Sequence, residues 1–235
     1  MARVRLKLTK GEEVRYLSHL DYVKAVERAL RRSQLPVAYS EGFNPHLKLS
    51  FASALAVGVT SDGEYIDAEL TQEMDLKEFA AKLAPCFGKG IQLITAAYVA
   101  KSSPALTASL NLAEYEAALF YSTEMPRADA AAALEKFNTA ASILFTKKTP
   151  KGSREIDLKN FLAQPLKIAP ASQAGQLILN LAIKMTPTGS AKPADVLTAL
   201  AAGYGFPATD AVLINRTGLY IEKNGKKILP IDFVH

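Results

Sequence analysis

Residues 2–9 alternate without a break. Val4, Leu6 and Leu8 fall on one side, and Arg3, Arg5 and Lys7 on the other. Strict alternation is the period of a strand with one buried face, so the pattern predicts a strand with three cations on an open face. Lys10-Gly11-Glu12 predicts a turn. The period then lengthens. From Ser18, the residues Leu20, Val23, Val26 and Leu30 recur at helical spacing and predict a core-facing stripe, with Lys24, Arg28, Arg31 and Arg32 opposite. Ser18 is placed to cap this helix, with Asp21 three residues on. Pro36 closes the region, because a proline ring fits no helix interior.

Further along, residues 37–39, 47–51, 64–70 and 91–99 predict strands, and 75–84 a helix. Residues 40–47 predict a loop turned by Gly42 and Asn44-Pro45. Residues 101–111, with Ser102-Ser103-Pro104, mark a domain boundary. The order then repeats. Strands are predicted at 113–122, 176–185 and 212–215, and helices at 127–144, behind Pro126, and 193–202. Hairpins are predicted at 145–158 around Pro150-Lys151-Gly152 and at 219–229 across Asn224-Gly225. The pattern predicts an α+β protein of two tandem ferredoxin-like units, each β-α-β-β-α-β, spanning 1–100 and 112–235.

Composition narrows the class. A chain of 235 residues with 49% hydrophobic and 22% charged residues is globular, which excludes disorder throughout. No stretch reaches the ~18–20 apolar residues of a membrane span. The opening residues lack the apolar core of a signal peptide, so a cytoplasmic location without membrane association is expected. One cysteine, Cys86, excludes an intramolecular disulfide and an iron–sulfur cluster held by this chain alone.

Charge changes the picture more. Residues 1–60 carry ten Lys/Arg against five Asp/Glu, so the whole net charge of +5 resides there. A concentrated basic surface favours an anionic partner such as structured RNA or a ribosomal component. Two polar motifs lie in the same region, at 15–21 and 39–48. The candidate contact residues are Arg3, Arg5, Lys7, Arg15, Tyr16, His19, Arg28, Arg31, Arg32, Phe43, Asn44, His46 and Lys48. His19 and His46 are candidates for an acid/base pair, because imidazole titrates near neutrality; no catalytic residue is assigned. His19, His46, Asp21 and Glu41 are metal-ligand types, but no His-x-x-x-His or cysteine pair accompanies them, so neither metal nor cofactor is assigned. No P-loop, dinucleotide fingerprint or nucleophile elbow is present.

The first seventy residues resemble a bacterial family of unknown function linked to radical-SAM proteins. The resemblance rests on Arg15-Tyr16-Leu17-Ser18-His19-Leu20-Asp21, on Leu35 to His46, on Ser50-Phe51-Ala52, on Gly58-Val59 and on Glu64-Tyr65-Ile66-Asp67. It is looser around Ile156-Asp157-Leu158 and Pro193 to Leu197. The radical-SAM cysteine triad is absent, so the chain resembles the stand-alone form of the module, and radical chemistry would belong to a partner protein. The resemblance implies a cytoplasmic accessory protein and carries over no established activity. With the charge, it leads to the expectation of an adaptor that binds RNA or a ribonucleoprotein beside a radical-SAM partner. The alternatives are an RNA-directed enzyme using His19 and His46, and a protein-docking scaffold that touches no nucleic acid.

Overall fold

The computed structural model describes residues 2–100, 102–122, 127–149, 152–171, 173–187 and 189–233. Pro126, Pro150 and Lys151 lie outside them. The protein is α+β. Among the described residues no helix is long and apolar enough to cross a membrane. The chain forms two compact units, Met1–Leu110 with Arg216–His235, and Asn111–Asn215. This differs from a division at 101–111 in two ways. The C-terminal segment belongs with the first unit, and residues 102–110 are no free linker. Leu106–Ser109 forms a short helix that packs on two strands of the first unit, with Leu106 fully buried.

The first unit is built from strands β1 (Ala2–Lys10), β2 (Leu49–Phe51), β3 (Val59–Leu70) and β4 (Leu93–Val99), with helices α1 (His19–Arg32) and α2 (Leu76–Leu83). β1 pairs antiparallel with both β3 and β4, and β2 pairs antiparallel with β3. Alternation places Val4, Leu6 and Leu8 beside Ile66, Ala68 and Leu70 in one core. Tyr22, Val26, Ala29 and Leu30 of α1 and Phe79 and Leu83 of α2 close it.

The stripe of α1 keeps Val26 and Leu30 as predicted but takes Tyr22 and Ala29 in place of Leu20 and Val23. Positions 22, 26, 29 and 30 follow i, i+4, i+7, i+8 and share a face, which turns Leu20 outward to 68% exposure. Ser18 caps the helix as expected, its side chain accepting the Asp21 N–H. Gln34 follows in the left-handed region at φ 54°, a common helix stop.

The opposite face of β1 is not open. Arg5 is 1% exposed. Its guanidinium donates to both carboxylate oxygens of Asp67, at 2.6 and 2.8 Å, and to the Pro230 carbonyl at 2.8 Å. Arg3 donates to the carbonyls of Ala100 and Ser103. The segments around 100–103 and 230–233 thus cover a face that periodicity alone leaves bare.

The second unit contains β5 (Leu112–Phe120), α4 (Arg127–Thr139), β6 (Leu144–Thr149), β7 (Gly152–Asp157), β8 (Lys167–Ala169), β9 (Gln176–Lys184) and α5 (Pro193–Tyr204). The short helix Leu106–Ser109 precedes these as α3. β5 and β8 both pair antiparallel with β9. Phe137 of α4 and Leu200 of α5 pack on Leu177, Leu179 and Leu181 of β9. The hairpin of β6 and β7 forms a two-stranded sheet of its own. β8, three residues long, is too short to leave a periodic signal. A tenth strand, β10 (Ala211–Lys223), begins in the second unit and ends in the first. It turns at Asn224-Gly225 into β11 (Lys226–Ile228), as predicted.

Candidate functional site

The two polar motifs of the first unit meet different fates. The first is stapled to the chain at 55–64 by charge. Arg15 donates twice to the Gly58 carbonyl, at 2.8 and 3.2 Å, and pairs with Glu12 at 2.6 Å. The Gly58 N–H returns a bond to the Arg15 carbonyl. Lys10, 1% exposed, donates to the carbonyls of Arg15 and Val59 at 2.9 and 3.2 Å. Glu64, also buried, holds Arg216 through both carboxylate oxygens, and Arg216 donates further to Ser53. Burial holds the Lys10 ammonium below its usual pKa; Glu64 opposes that shift, and Arg216 and Arg15 add to it.

Lys10, His19, Tyr22, Phe51, Leu55 and Glu64 line a pocket with space for about one water molecule. His19 stands edge-on to Phe51, ring centres 5.7 Å apart. The Tyr22 hydroxyl donates to the Thr9 carbonyl, and burial raises its pKa well above the ordinary phenol value.

The second motif forms the exposed loop at 40–46. It is closed by the Ser40 N–H donating to the His46 carbonyl and the His46 N–H donating to the Ser40 hydroxyl. Phe43, Asn44 and His46 face solvent, Phe43 completely. Among the described residues no hydrogen bond or ring contact joins His19 to His46. No group of three or more His, Cys, Asp or Glu there can hold a metal ion.

The candidate cations divide sharply. Arg3, Arg5 and Arg15 are engaged within the fold, Lys7 sits 6.0 Å from the Tyr65 ring centre, and Lys48 lies 3.4 Å from Glu69. On the outer face of α1, Lys24, Arg28, Arg31 and Arg32 are exposed. Arg32 donates to the Cys86 carbonyl, and Arg31 lies 3.9 Å from Glu27. Tyr16 (75% exposed), Leu20 and Val57 form exposed apolar surface where α1 begins and the Gly58 staple closes.

Sequence reasoning missed Lys10, Glu64 and Arg216. Lys10 did leave a signal. It has the parity of Val4, Leu6 and Leu8, so the strand pattern carries a lysine on its core side. Arg216 left none, because its partner is 152 positions away.

A family model described as "Uncharacterized protein conserved in bacteria (DUF2344)" matches residues 3–193. No curated protein matches the chain. A chain in the crystal structure of a Cbf5-Nop10-Gar1 complex is similar with a TM-score of 0.51 at 11% identity, over 99% of this chain and 53% of that one. The protein thus spans about half the length of that chain, and the likeness is one of fold alone.

Proposed function

The chain belongs to this uncharacterized family conserved in bacteria, and from that premise we propose that it is an accessory module of a radical-SAM system that binds RNA or a ribonucleoprotein through the outer face of α1. One observation carries the reading: the strand cations are committed inside the fold, while Lys24, Arg28 and Arg31 stand together on an exposed helix face. Helical spacing sets them one turn apart, suited to following a phosphate backbone. Tyr16 and Phe43 are exposed aromatics of the kind on which unpaired bases stack. The fold reading that accompanies this is two ferredoxin-like units. Its support is the β-α-β-β-α-β order of β1 to β4, and the order β5, α4, β8, β9, α5, β10 once the β6–β7 hairpin is set aside.

The test is binding of the purified protein to bulk cellular RNA across a salt series. The expected result is affinity that falls linearly in log salt, with a slope reduced by about 2–3 in K24Q/R28Q/R31Q, since each lost phosphate contact removes about 0.7–0.9 of slope. No binding at low salt overturns the RNA reading.

A second reading rests on Tyr16, Leu20 and Val57, whose exposure suits a protein partner. It expects a radical-SAM partner to co-purify after nuclease treatment and to be lost in Y16S/L20S. Retention by that variant removes it.

A further inference from the structure

We propose that the pocket beneath the first turn of α1 is a small-oxyanion site, taking one terminal oxygen of inorganic phosphate or of a phosphate monoester. The argument begins with Lys10. An ammonium has three N–H donors; two of them go to the carbonyls of Arg15 and Val59, and among the described residues no protein acceptor takes the third. Among the described residues no carboxylate bonds it either. Both oxygens of Glu64 are held by Arg216, and Glu12 is paired with Arg15. Lys10 is therefore a buried cation without a bonded counterion, a costly arrangement that an anion relieves.

The pocket supplies the rest. Lys10 and Glu64 line its polar wall, and His19, in the first turn of a fourteen-residue helix, lines it as well. That end of a helix carries partial positive charge. Glu64 is the group that would repel an anion, and its bidentate ion pair with Arg216 neutralises it. The space admits one oxygen, so the remainder of the ligand stays at the mouth. The site stands apart from the RNA reading, since the outer face of α1 and this pocket can each bind or fail to bind without the other.

The experiment titrates the intact protein with inorganic phosphate against chloride at matched ionic strength, following backbone amide NMR shifts. The expected result is a saturable response concentrated in residues 10–22 and 55–64. Lys10→Met should weaken it about tenfold or more, one charge-assisted bond being worth at least that factor. Leu55→Phe, which fills the space and leaves every charge in place, should do the same, and it decides alone if the Lys10 variant does not fold. An oligonucleotide with and without a 5′-phosphate then separates the two sources. Competition by the phosphorylated form alone assigns a monoester end, and competition by neither assigns free phosphate. A response that never saturates, or saturation unchanged in Leu55→Phe, means adventitious surface binding and overturns the proposal.

Discussion

At the scale of single residues, the first unit is organised by buried ion pairs. Arg5 with Asp67 and Arg216 with Glu64 each place a bidentate pair where water is excluded. Removing one partner strands the other. Asp67→Asn should destabilise the protein by about 3–5 kcal/mol in urea denaturation, because Arg5 then keeps a buried charge with no counterion. A loss below 1 kcal/mol would mean the guanidinium escapes to water.

Lys10 gives a pH signature whose sign is opposite to that of the tyrosines. Its folded pKa lies below the unfolded value of 10.5, so between the two the unfolded chain binds more protons and stability rises with pH. Tyr22 and Tyr65 have raised folded values, so above pH 10 the unfolded chain loses protons first and stability falls. Denaturation midpoints across alkaline pH should therefore climb and then drop. Lys10→Met should lose the climb and keep the drop; a variant that keeps both contradicts the assignment. This residue was partly legible in the sequence, since a lysine on the core side of an alternating strand demands a polar burial site. Its partners were not, since the turn that brings the Arg15 and Val59 carbonyls together is set by tertiary contacts.

At the scale of elements, local signals read well where several agree. Ser18 and the following helical period define α1, and Asn224-Gly225 defines the last hairpin. Both turn residues adopt positive φ there, 53° and 73°, as a two-residue hairpin turn demands. Ser18→Ala should cost about 1 kcal/mol by loss of the cap, read as a lower thermal midpoint with unchanged circular dichroism at low temperature. Gly225→Val should cost about 1–2 kcal/mol, because a β-branched residue resists the left-handed region. An unaffected midpoint in either variant would show that tertiary packing holds the element without the local device. The misses have two causes. α3 and β8 are four and three residues long, too short for a helical or strand pattern to repeat, and Leu20 fell to the solvent side because Val26 and Leu30 fit two adjacent helical stripes.

At the scale of the molecule, the net charge sits in residues 1–60, and the fold sorts the cations there into two sets. Ten basic side chains in residues 1–60 look alike in sequence. In the fold, Arg3, Arg5, Lys10 and Arg15 bind carbonyls and carboxylates of their own unit, whereas Lys24, Arg28 and Arg31 on the outer face of α1 are exposed. The C-terminal segment made the difference, because Pro230 and Arg216 return to the first unit, and no periodicity near residue 5 announces that. The central claim is thus a division of cations into those held by the fold and those available. The most direct measurement compares the salt dependence of RNA binding in Arg3→Gln, a part-exposed but committed cation, with that in K24Q/R28Q/R31Q. The account predicts an unchanged slope for Arg3→Gln and a slope lower by about 2–3 for the α1 variant. Equal slopes in both variants, or a loss confined to Arg3→Gln, would contradict it.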